Sequence, residues 1–138
     1  PWSVLHMPAA DREAPQPPVP GLEDWQLRDL IAAIAFPGLM LAMQGPFMAW
    51  YQMTPLAAGQ LDLKIHLCFP DWMQGMDDYA AIVDGAEASI RGVHEEDIAA
   101  NDLVWAGLNA PLSRAGPLSP LEKSIWQMNQ WWLGKMGA

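Results

Sequence analysis

Between Gln60 and Cys68, apolar and polar residues alternate almost without a break. Leu61, Leu63, Ile65 and Leu67 fall on one side, and Asp62, Lys64, His66 and Cys68 on the other. A period of two predicts a strand with one face covered. Two apolar runs precede it. Residues 39–43 follow Phe36-Pro37-Gly38, and residues 47–53 follow the turn signal Gln44-Gly45-Pro46. Pro55 to Gly59 connects the second run to the third. Connections this short make neighbouring strands antiparallel, so the pattern predicts a three-stranded meander within residues 36–70.

After Phe69-Pro70 the period changes from two to 3.6. Residues 77–108 carry one long helical pattern with an apolar stripe at Tyr79, Val83, Ala86, Ile90, Val93, Ala100 and Val104. Gly85 and Gly92 interrupt it, and Asn109-Ala110-Pro111 closes it. A second helix is announced by Ser119-Pro120-Leu121-Glu122: a Ser cap, Pro at the first helical position, and Glu three residues on to reach back. Its expected buried stripe is Leu121, Ile125, Met128 and Trp132. Trp126, Trp131 and Trp132 cannot share one face of that helix, so at least one must find another surface. Before the sheet, residues 22–30 read as a short helix with Glu23, Asp24, Arg28 and Asp29 on its wet side. Residues 1–22, with six prolines, read as an extended arm. Strands first and helices afterwards make an α+β pattern, and each apolar face needs the other to cover it. The meander is therefore expected to pack on the helix that carries Val83, Ile90 and Val104.

Composition narrows the function. With 138 residues there is room for one domain, and 51% hydrophobic against 17% charged residues argues for a packed core rather than disorder. The net charge of −9 repels phosphate backbones, and the seven basic residues stand singly, so a nucleic-acid partner is not expected. Cys68 is the one cysteine, which excludes an internal disulfide and any cluster held by several thiolates. No apolar run approaches the ~20 residues of a membrane span. Because the chain opens on Pro1 rather than Met, it reads as a piece of a longer protein.

Candidate chemistry centres on Asp97. At seven-residue spacing the helical stripe runs Val83, Ile90, Asp97, Val104, placing a carboxylate where β-branched residues otherwise stand. Residues seven apart differ by only ~20° around a helix, so Asp97 is expected to face inward. A buried carboxylate needs compensation, and a metal cation supplies it; the other reading is that the helix turns Asp97 to water beside Glu95 and Glu96. His94, three residues earlier, could share a metal with Asp97 or make an ordinary hydrogen bond. His66 shares the polar face of its strand with Asp62 and Lys64, and His6 lies unconstrained in the arm. Trp50 and Tyr51, with Met48 and Met53, suit either core packing or a pocket for a flat apolar ligand. No nucleophile elbow, phosphate-binding loop or Cys–His arrangement with family spacing is present.

A series of motifs then takes on meaning together: Phe36-Pro37-Gly38-Leu39-Met40-Leu41, Trp50-Tyr51-Gln52-Met53-Thr54-Pro55-Leu56, a strand ending in Phe69-Pro70, Glu96-Asp97-Ile98, Gly107-Leu108, and Gly116-Pro117-Leu118-Ser119-Pro120-Leu121-Glu122 before a Trp-rich helix. In order and spacing, from Phe36 to Trp132, this resembles the C-terminal part of the catalytic domain in the alpha subunit of Rieske-type aromatic-ring-hydroxylating oxygenases. The resemblance implies a helix-grip (START-like) α+β fold, an antiparallel sheet packed on a long C-terminal helix, here incomplete. It implies a mononuclear Fe(II) held by two histidines and one carboxylate, the carboxylate matching Asp97, with Glu96 next in line if the register differs by one. It further implies O₂ activation to hydroxylate an aromatic or other organic substrate. Electrons would come from a [2Fe-2S] Rieske cluster fed by a ferredoxin or reductase, in a cytoplasmic homo-oligomer.

The chain also departs from that pattern. The two histidine ligands, a few residues apart in the family, have no counterpart here. The Rieske pattern of Cys-x-His and Cys-x-x-His is excluded by a single cysteine. Where the family has Gln-Arg-Gly-Leu, this chain has Trp105-Ala106-Gly107-Leu108. The expectation is a C-terminal portion of the catalytic domain, with cluster and histidines on polypeptide outside it. Such a chain alone should hold no Rieske cluster and hydroxylate nothing. The competing expectation is a non-enzymatic helix-grip module that binds a small apolar ligand.

Overall fold

The computed structural model describes residues 2–11, 13 and 18–137. They form two compact units, one of Pro1–Pro70 with Leu118–Ala138 and the other of Asp71–Pro117.

The first unit is built on a five-stranded antiparallel meander in sequence order: β1 (Trp2–Met7), β2 (Leu30–Ala35), β3 (Leu39–Gln44), β4 (Phe47–Ala57) and β5 (Gln60–Cys68). The last three are the strands expected from alternation and turn chemistry. Gly45 opens the β3–β4 hairpin with φ of 57°, the left-handed value that tight hairpin turns require. The first two strands correct the sequence reading. Trp2–Met7 pairs residue for residue with β2, so the start of the expected arm is a strand of the sheet. The short helix, α1 (Asp24–Arg28), ends before Leu30, and Leu-Ile-Ala-Ala-Ile-Ala follows as strand β2. Periodicity alone does not separate an apolar six-residue run from helix; here cross-strand pairing decides it. Pro1, Pro15 and Pro17 of the expected arm lie outside the described residues.

Registry sorts the side chains into two faces. One carries Ser3, Ala32, Ala49 and Tyr51, all buried, with Ala49 at 0% exposure. Helix α3 (Lys123–Met136) belongs to this unit. Its half-buried positions are Ser124, Gln127, Met128 and Trp131, an i, i+3, i+4, i+7 set. The Ser3 and Ser124 hydroxyls hydrogen-bond at 2.8 Å, and the rings of Phe36 and Trp131 lie 6.2 Å apart. This seating replaces the expected stripe. Leu121 is 91% exposed, Ile125 and Trp132 are exposed, and only Met128 is common to both sets. The helix is turned so that Ser124 and Trp131 meet partners on the sheet, and Trp126 and Trp132 are left outside. The start of α3 follows the expected chemistry: Ser119 N–H donates to Glu122 Oε2 at 2.7 Å across a short 3-10 turn, Pro120–Glu122.

Gly38, in the Phe-Pro-Gly link between β2 and β3, accounts physically for part of that motif. Its carbonyl accepts the Met53 N–H at 3.0 Å, and a Cβ on residue 38 would stand 2.8 Å from the Met53 carbonyl oxygen. Only glycine permits that approach of two backbones.

The second unit contains a 3-10 turn, Asp71–Gly75, and the thirty-residue helix α2 (Tyr79–Leu108), ended by Asn109. Met73 in the turn is completely buried. No residue of α2 is buried. Val83 and Ile90 of the expected stripe are half-buried, while Val93 and Val104 are exposed, Val104 at 58%. The stripe exists as a periodic pattern on the helix, but it does not create a dry environment within this chain. The α+β class and the long helix stand as expected.

Candidate functional site

The helix segment around residue 97 was the first candidate. His94 Nδ1–H donates to the Ile90 carbonyl one turn back, at 2.7 Å. Asp97, one turn on, is exposed, as are Glu95 and Glu96. The inward-facing, desolvated carboxylate expected from the stripe is thus not what this chain presents. No residue of α2 is buried, and Asp97 is open to water.

The other sequence candidates are held apart. His66 stands opposite Trp50 in the β4–β5 ladder, and their rings stack at 4.9 Å on the open face of the sheet. Lys64 and Asp62 on the same face form a loose, exposed pair at 3.9 Å. Trp50 and Tyr51 point to opposite faces, Tyr51 into the core and Trp50 toward His66, so they do not line one pocket.

The best-built polar cluster is one that the sequence reading missed. Asp29, assigned to a wet helix face, is buried, and His6, assigned to an unconstrained arm, is its partner. Asp29 Oδ2 accepts from His6 Nε2 at 2.7 Å, and Oδ1 accepts the Ala9 backbone N–H at 3.1 Å. Arg28 Nε lies 3.4 Å from Oδ1. The Ala9 N–H and then the His6 side chain hold the Asp29 carboxyl below its ordinary 3.8, with the Arg28 charge adding to the effect against the cost of burial. The His6 ring also tilts against Trp25 at 5.5 Å. One signal in the sequence pointed here: Asp29 immediately precedes an uncharged apolar run.

A ring-hydroxylating alpha subunit catalytic domain model matches residues 2–138. The chain belongs to that family. No curated protein and no solved structure matches it. The family places the chain among ring-hydroxylating oxygenases, oxidoreductases whose catalysis depends on iron. The five-stranded sheet with a long helix and a C-terminal helix is consistent with part of that catalytic domain.

The residues present do not make an iron site by themselves. A facial triad needs two imidazoles and a carboxylate converging on one point. The Nε2 of His6 is engaged by Asp29, His66 lies against Trp50, and His94 Nδ1 is turned to the Ile90 carbonyl. Among the described residues no three His, Cys, Asp or Glu side chains come together closely enough to hold a metal ion. One cysteine likewise cannot supply a Rieske cluster, which takes two. Among the described residues no helix is long and apolar enough to cross a membrane.

Proposed function

We propose that residues 1–138 are the C-terminal portion of the catalytic domain of a Rieske-type oxygenase. That enzyme uses O₂ at a mononuclear Fe(II) to hydroxylate an aromatic or other organic substrate. The observation that carries this reading is the family match over residues 2–138. In this reading Asp97 is the carboxylate ligand, supplied by α2, with Glu96 the next candidate. The two histidine ligands and the [2Fe-2S] cluster come from polypeptide outside these residues. The exposure of Asp97 in this chain accords with a ligand whose partners lie elsewhere. The intact enzyme would be cytoplasmic and oligomeric, and would receive electrons from a ferredoxin or reductase.

What this chain contributes chemically is one carboxylate and the helix that presents it. Iron, when bound, would supply the site for O₂. Asp97 offers only negative charge and oxygen donors, and an exposed position is one from which it can be recruited.

The test uses the protein extended upstream to include the histidine pair and the cluster motif. Asp97→Ala should remove mononuclear iron by metal analysis and abolish turnover, while the Rieske signal in EPR persists. Glu96→Ala should leave both intact. Unchanged iron in Asp97→Ala would place the ligand elsewhere, with Glu96 examined next. An upstream sequence lacking both motifs would favour the apolar-ligand module. The 138 residues alone should show no Rieske-type EPR signal after reconstitution with iron and sulfide.

A further inference from the structure

A cavity of about 330 Å³ lies at the end of the β1–β2 ladder. Met7 and Leu30, the last register pair of that ladder, form one part of its wall. Residues 8–11, which leave β1, and Gln44, the last residue of β3, form the rest. Cavities of about 300–1,000 Å³ take small organic ligands, and this one stands at the lower end of that range.

The wall is held in shape by two hydrogen bonds. Asp29, buried, accepts the Ala9 N–H at 3.1 Å and so fixes residues 8–11 beside the ladder. Gln44 Nε2 donates to the Arg28 carbonyl at 3.1 Å. A carbonyl only accepts, so this bond sets the orientation of the Gln44 amide and leaves Oε1 as the atom it has to offer. Among the described residues nothing donates to that oxygen, and Asp11 has no ion-pair partner. Both polar side chains of the lining are therefore open acceptors, one of them charged. Around them Met7, Pro8, Ala10 and Leu30 supply apolar surface. The net charge of −9 attracts cations to the chain as a whole.

We propose that this cavity binds a small organic amine in its protonated form. The ammonium group sits against the Asp11 carboxylate and donates an N–H to Gln44 Oε1. A short hydrocarbon group lies on Met7, Pro8 and Leu30. A charged donor suits this lining because a charge-assisted bond to a carboxylate is worth more than a neutral one. Every group in the site lies within residues 7–44, so it does not depend on the oxygenase reading.

The test titrates n-butylammonium into the 138-residue chain and follows amide shifts in ¹H–¹⁵N spectra. The Gln44 side-chain amide and the Ala10 and Asp11 backbone amides should move together, with a Kd on the order of 1 mM for a ligand of this size. Butyltrimethylammonium keeps the charge but has no N–H, and 1-butanol keeps the chain but has no charge. Each should bind about tenfold more weakly. Asp11→Asn should weaken n-butylammonium by a similar factor. Asp62→Asn removes a carboxylate outside the cavity and should leave the Kd unchanged. Both carboxylates are exposed, so neither change disturbs folding. Absence of binding would overturn the proposal, as would equal losses in the two variants, which would mean general attraction to a negative chain. Binding of 1-butanol as tight as that of the amine would also overturn it. So would loss of amine binding in the protein extended upstream, where the preceding polypeptide would then fill the cavity.

Discussion

The two units of this chain use apolar residues in contrasting ways. In the sheet unit one face of β2 and β4 carries the buried residues Ala32, Ala49 and Tyr51, and Trp131 of α3 lies against Phe36 beside it. In the unit of residues 71–117, a helix of thirty residues carries a regular stripe that is at most half-buried, at Val83 and Ile90; Met73, in the turn before it, is the fully buried residue there. A sheet obtains cover from neighbouring strands and an adjacent helix, whereas a single long helix has no such neighbour of its own. Periodicity therefore announces that an element has a face to bury, and nothing more. The difference also bears on function. A carboxylate in the stripe of α2 remains in water in this chain, while the carboxylate that is buried, Asp29, belongs to the sheet unit and is fully engaged.

Substitutions in the two units put this contrast to the test. The largest effect is expected from Tyr51→Ala, which empties a core position beside Ala49 and should cost about 3–5 kcal/mol in denaturant unfolding. A loss below about 1 kcal/mol would mean that the sheet face is not a core. Gly38→Ala comes next. Its Cβ would press on the Met53 carbonyl between two backbones with little freedom to move, for a loss of roughly 1–3 kcal/mol. An unchanged midpoint would show that the link gives way.

Acid distinguishes the two carboxylates more finely. The folded Asp29 carboxyl lies below its ordinary 3.8, so its ionised form adds stability that is complete above the unfolded value. That stability fades as pH falls through the lower folded value. Thermal melts taken downward from about pH 4.5 should show a decline that is shallower in Asp29→Asn. Parallel curves for the two proteins would contradict the hydrogen bonds from Ala9 and His6. The smallest effects belong to α2: Val104→Ala and Asp97→Asn should each shift stability by no more than about 0.5 kcal/mol, as exposed positions do. A loss above about 1 kcal/mol at either would show that the helix face is covered in solution.

Much of the architecture is legible in the order of residues alone. Alternation from Gln60 to Cys68, the Gly45 and Gly59 turns and the Ser119–Glu122 cap are local signals, each expressing steric or hydrogen-bonding preferences within a few residues. They set β3, β5 and the start of α3 close to where they were expected, while β4 runs on through Pro55 to Ala57, where a connection was expected. The order of motifs from Phe36 onward pointed to the ring-hydroxylating family as well, and the match over residues 2–138 shows that membership.

Contacts distant in the chain were decided elsewhere. Leu30–Ala35 is a strand because β3 pairs with it on one side and β1 on the other, the latter across the whole connection through α1. The seated face of α3 depends on Ser3 and Phe36, not on which of its residues are most apolar. His6 and Asp29 are each ordinary in sequence and form a site only when β1 brings them within 2.7 Å. Asp97 shows the converse. Spacing determines which side of the helix it occupies, because helical geometry is local, but the environment on that side belongs to whatever packs there. Local geometry is written in the residues themselves; burial and partnership are properties of the assembled chain, and only tertiary structure assigns them.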